Sequence, residues 1–130
     1  MAATSKEVLR LSLEAGADLS DKQFYFVKMS DDRKVAVCAD VTDVPIGVLQ
    51  NAPESGESAD VMVIGLSKVS SDAALTAGDA IGSSSDGQAQ TVTVGSETTV
   101  YLAGRVIDGT SAAGELASAV INCANAARAA

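Results

Sequence analysis

The sequence has no histidine and no tryptophan among its 130 residues. Without histidine it lacks the commonest general base and the commonest metal ligand. Its serines and threonines therefore have no imidazole to activate them. Ser67 and Lys68 are the nearest approach to a nucleophile and its base, but neighbours on a strand point to opposite faces. Aromatic residues make up 3% of the chain, leaving Phe24, Tyr25, Phe26 and Tyr101 as the large rings, too few for an aromatic-lined ligand site. The two cysteines, Cys38 and Cys123, stand at no motif spacing, so neither a zinc site nor a redox pair is indicated. They read as buried free thiols; a disulfide would require the fold to bring them together. Positive charge is scarce, with 9 bases against 17 acids and a net charge of −8. That balance opposes phosphate backbones and anionic lipid, so nucleic-acid and membrane-surface partners are not expected. It serves solubility, and an acidic protein can still dock on a basic protein surface. The start, Met1 to Lys6, has no apolar run after its charge and does not read as a signal peptide, and no later run is long enough to span a bilayer. The expected compartment is cytoplasm-like.

Other sources of chemistry are also thin. Asp31-Asp32 and the nearby Asp18 and Asp21 are turn carboxylates without the spaced oxygen ligands of a calcium loop. No glycine-rich loop opens into a helix, so no phosphate cradle follows. No catalytic residue, cofactor or metal is expected.

What is present is a core of Val, Leu, Ile and Ala within 47% hydrophobic content. A chain of this length forms one domain and buries about two-thirds of its unfolded surface. The grammar is of short strands between Gly, Pro, Ser and Asp turns. Glu7 to Leu13 alternates, with Leu9, Leu11 and Leu13 on one face; a helix competes, because Leu and Glu favour one. Phe24–Met29 and Lys34–Ala39 read as a hairpin across Ser30 to Arg33, with Val35, Val37 and Ala39 sharing a face. Ile46–Gln50 is a short strand, and Asp60–Leu66 is apolar enough to be buried on both faces. Ala80–Gly82 is short, Gln88–Val94 alternates, and Thr98–Ile107 reads as the longest β run. A strand to about Asn122 and a weakly ordered Ala-rich tail at 123–130 complete the reading, although Leu116, Val120 and Cys123 also suit a helix.

Glycine-anchored turns recur in one order. Gly16, Gly47 and Gly56 are answered by Gly78, Gly104 and Gly114, at offsets of 62, 57 and 58 residues. The fold class is therefore all-β: a small β-barrel or sandwich built from two quasi-repeats at 15–122, with residues 1–14 as a flexible N-terminal arm or edge strand.

Two resemblances follow. Val27-Lys28-Met29 is similar to the carrier-lysine tripeptide of biotinyl and lipoyl domains, with Val27 in place of the usual first Met. That likeness would make Lys28 an attachment site, but in that family the lysine sits at a hairpin tip, whereas Lys28 falls within a predicted strand. The wider resemblance spans residues 15–121. Pro45 to Pro53 followed by Gly56-Glu57, Thr76 to Gly82, Asp86-Gly87, Gly104-Arg105-Val106 and Ala113 to Leu116 together resemble the capsid cement, or head decoration, proteins of tailed phages. It implies a β-barrel of β-clip character on the outer face of an assembled capsid. It also implies the major capsid protein as partner, self-association as a trimer, manufacture in the host cytoplasm and no enzymatic activity. Carried onto this chain, Leu9, Leu11 and Leu13 would form the capsid-binding arm, along a capsid strand edge or as an internal edge strand. Gly16, Gly47, Gly56, Gly78, Gly104 and Gly114 would be structural turn glycines.

Overall fold

A computed structural model describes residues 5–96 and 99–129. They form eleven strands: β1 (Lys6–Ala15), β2 (Phe26–Asp31), β3 (Lys34–Val37), β4 (Gly47–Leu49), β5 (Ser58–Ser70), β6 (Ala80–Ser83), β7 (Ala89–Thr91), β8 (Tyr101–Leu102), β9 (Gly104–Asp108), β10 (Leu116–Asn122) and β11 (Ala127–Arg128). No helix occurs among the described residues. The main sheet runs β1-β3-β2-β4-β5-β10-β9-β6-β7, and β1 also pairs with β5. The pairings among β1, β3, β2, β4 and β5 thus run in a ring, from which β10, β9, β6 and β7 continue as an open sheet. This is the all-β, barrel-like architecture that the turn spacing implied.

β5 is the spine, because it lines up with β1 along one edge and with β4 and then β10 along the other. Its Val61, Met62, Val63 and Val69 are buried, which explains an apolar run with little alternation. Ala15, Leu19, Val27, Val35, Leu49, Ala59 and Val61 form one core cluster inside the ring. A larger cluster, including Phe26, Met62, Ile81, Val106 and Ile121, joins the ring to the open sheet. Buried serines are satisfied from side chains that reach the spine: Gln50 Nε2 donates to Ser67 Oγ at 3.0 Å, and Gln88 Nε2 to Ser70 Oγ at 2.9 Å.

Several local expectations are corrected. The longest strand is β5, at 13 residues, while the run expected from Thr98 to Ile107 divides into β8 and β9. The chain changes partners there: β8 pairs with β11 and β9 with β10, while the Ala103 N–H donates to the Ile81 carbonyl between them. Thr98 lies outside the described residues. The tail is ordered rather than loose, since β11 pairs with β8 and Ala129 is 1% exposed against Val92 and Val100. Ala39 leaves the face of Val35 and Val37 because its N–H turns to the Asp43 carboxylate. Gln88–Val94 contributes only the three residues of β7, and Val94 is exposed in the following turn.

Candidate functional site

β1 arises from the alternation of Leu9, Leu11 and Leu13 with Arg10 and Ser12, and its polar side chains anchor it to β5. Arg10 grips Asp60 through both Nε and Nη2 and also lies 3.4 Å from Glu7. The Ser12 and Ser58 hydroxyls share a 2.9 Å hydrogen bond. Val8 sits at a register shift opposite Gly65 and Ile64 and is 75% exposed. At its end β1 turns to β3, where Glu14 lies opposite Lys34 and Ala15 opposite Val35.

The leucines of this strand are unevenly covered. Leu9 and Leu11 are 40% and 37% exposed, whereas Leu13 packs on the core inside the ring. Among the described residues no strand pairs with the outer edge of Lys6–Leu13. An eight-residue edge of unpaired backbone donors and acceptors beside two half-exposed leucines is a template for a further strand. The arm residues 1–4 lie outside the described residues.

The six glycines divide into two kinds of position. Gly56, Gly78 and Gly114 occupy turns at φ of 86°, 94° and 85°, as the third residue of a type II turn requires. In each, the acid that follows accepts a hydrogen bond from an amide three residues back: Glu54 to Glu57 at 2.7 Å, Thr76 to Asp79 at 2.9 Å and Ala112 to Glu115 at 3.2 Å. Each turn is docked identically. The glycine N–H donates to a carbonyl (Ala15, Val106 and Ser71), and that residue's N–H donates to the acid's carbonyl. The repeated unit is thus a turn used three times, with the signature Gly-acid after two variable residues. Gly47 and Gly104 stand inside strands β4 and β9, where the neighbouring strand leaves no room for a side chain. Gly16 follows β1, packed near Ser30 and Val35.

Lys28 lies mid-strand in β2, while the tip of its hairpin is Asp32-Arg33. Its Nζ meets Asp43 Oδ2 at 2.9 Å. That hydrogen bond holds the ammonium pKa above its ordinary value, keeping the amine protonated and poorly nucleophilic. Beside it is an open cleft of about 810 Å³ bordered by Met29, Val44, Pro45 and Cys123. Cys38 and Cys123 are free and buried in the same core cluster, and burial pushes each thiol pKa up to about 12. Among the described residues no three His, Cys, Asp or Glu side chains converge as a metal site. The outer edge of β1 offers backbone hydrogen bonding and apolar area.

No curated protein sequence matches the chain. Among solved structures, the N base of the head fiber gp8.5 of bacteriophage phi29 superposes with a TM-score of 0.64 at 17% identity, over 88% of this chain and 94% of that one. At that identity the likeness shows the fold: the β scaffold is one used on a phage head. A family profile described as phage cement protein matches residues 3–122, which takes in β1, the three docked turns and all of β10. The capsid likeness read from the turn glycines is thereby established, and the chain belongs to the phage cement proteins, a structural rather than an enzymatic family.

Proposed function

We propose that this chain decorates the outer surface of an assembled phage head, where it bridges subunits of the major capsid protein and acts as a trimer. The observation that carries the reading is the unpaired outer edge of β1 on a protein whose family is a cement. A strand of the shell subunit adds to that edge, so backbone hydrogen bonds supply affinity, and Leu9 and Leu11 supply apolar contact. A clamp that binds only the assembled shell stabilises it by its own binding free energy. Copies that share subunits multiply modest contacts.

The test is co-sedimentation of the purified chain with expanded heads that lack it, with light scattering for its free mass. Saturable binding is expected, weakened in a deletion of residues 2–13 and in the double variant Leu9→Arg, Leu11→Arg. Absence of binding by the unaltered chain overturns the function. Equal affinity for both variants overturns the assignment of β1.

A further inference from the structure

Cross-strand register sets up a feature that no stretch of sequence shows. Lys6, Leu66, Val120 and Arg105 lie directly opposite one another on β1, β5, β10 and β9. Directly opposed residues present their side chains on the same face of a sheet. One row therefore crosses four strands with two apolar side chains in the middle and a cation at each end. Three inter-strand spacings separate the ends, about 14 Å. Val120 is 49% exposed, Lys6 and Arg105 are exposed, and Leu66 is half-buried. On neighbouring rows of the same face, Lys68 lies opposite Ser118, and Leu116, 41% exposed, opposite Ser70.

The charge of this face is inverted relative to the whole molecule. Arg10, Lys22, Lys28 and Lys34 are each matched by a carboxylate. Among the described residues Lys6, Lys68 and Arg105, like Arg33 and Arg128 elsewhere, have no carboxylate within ion-pair distance. Lys68 lies over the Phe24 ring at 5.7 Å, and Arg105 Nη1 donates to the Gly78 carbonyl at 2.7 Å, which leaves most of its donors for other partners. Asp108, opposite Ser118, is the acid on these rows. The chain carries a net charge of −8, yet on these rows three of its nine bases stand against the single acid Asp108. A shallow cleft of about 330 Å³ runs beside Val120 and Arg105, bordered by Ala80, Gly104 and Asn122.

We propose that this face is a second docking surface, and that its partner is a protein surface of the phage head that sets carboxylates on either side of an apolar side chain. The proposal rests on the decoration reading above and names the chemistry of its partner. An apolar centre with a charged rim is how a specific interface is built. The uncompensated cations steer an acidic partner to it from among the surfaces that a −8 protein otherwise repels.

The test measures binding to expanded heads lacking this chain, at two salt concentrations. Variants are Val120→Glu and Arg105→Glu, with Val44→Glu as a control on the loop between β3 and β4. Val120→Glu keeps the proposal testable should Arg105→Glu disturb the Gly78 turn, and circular dichroism confirms the fold of each. Both variants are expected to weaken binding tenfold or more. Arg105→Glu is expected to flatten the salt dependence, while Val44→Glu binds as the unaltered chain. Equal binding by all chains overturns this face and leaves the decoration role standing. If the unaltered chain fails to bind heads, both readings fall. Binding to duplex DNA, lost in the same variants, overturns the acidic-protein partner in favour of a nucleic acid.

Discussion

Gly104→Ala tests whether the paired glycines hold strands in close approach. Gly104 sits in β9, opposite Ile121 of β10. A Cβ there would meet the Val120 carbonyl oxygen, the Ile121 Cα at 3.0 Å and the Val120 carbonyl carbon at 3.1 Å. All three are backbone atoms of a strand that is itself held by β5, so no side chain can swing aside. The sheet must shift as a unit. Overpacking of this kind costs about 1–3 kcal/mol, and a backbone obstacle belongs at the upper end. For a domain of this size that lowers the thermal midpoint by roughly 10 °C. Gly114→Ala is the comparison. Nothing lies within 4 Å of its Cβ, and its φ of +85° imposes only left-handed strain, about 1–2 kcal/mol. Thermal unfolding followed by circular dichroism reads both. A smaller loss for Gly104→Ala than for Gly114→Ala would refute the close-approach argument.

Four further outcomes are expected. Asp43→Asn removes the partner of Lys28 and costs about 1 kcal/mol at neutral pH, measured by urea unfolding. Burial opposes the Asp43 charge, but Lys28 and the Ala39 and Asp40 amides outweigh it and hold its pKa below the ordinary value. That contribution is full above the ordinary carboxylate pKa and is lost as pH falls through the lowered one, so variant and parent converge in acid. Asp72→Asn acts in the opposite sense. Burial and then the charge of Asp86 raise the Asp72 pKa, so the ionised carboxylate strains the fold once pH rises through it, and the variant is the more stable at pH 7 with no difference in acid. Cys38 and Cys123, with thiol pKa values of about 12, resist a thiol-reactive disulfide reagent at pH 8 and react on unfolding, which absorbance counts. Intact mass after co-expression with a biotin ligase shows no adduct on Lys28; an adduct would restore the carrier reading.

The sequence by itself determined the class of structure and the class of function. Period-two alternation at Glu7–Leu13, the apolar run at the heart of β5 and the glycine turns sufficed for an all-β scaffold, because side-chain period and turn residues act locally. The ordered turn framework led to the phage cement proteins, a structural family. The tertiary structure decided everything that depends on which strands meet. It split Thr98–Ile107 at Ala103, because two different sheets claim its halves, and it ordered the alanine tail by pairing it with β8. It also showed that the recurring element is one docked turn in three places, at Gly56, Gly78 and Gly114, since hydrogen bonds to Ala15, Val106 and Ser71 come from distant segments. The row of Lys6, Leu66, Val120 and Arg105 was invisible for the same reason. Its members are far apart in the chain, and only pairing register, set by burial of the opposite face, brings them to one surface.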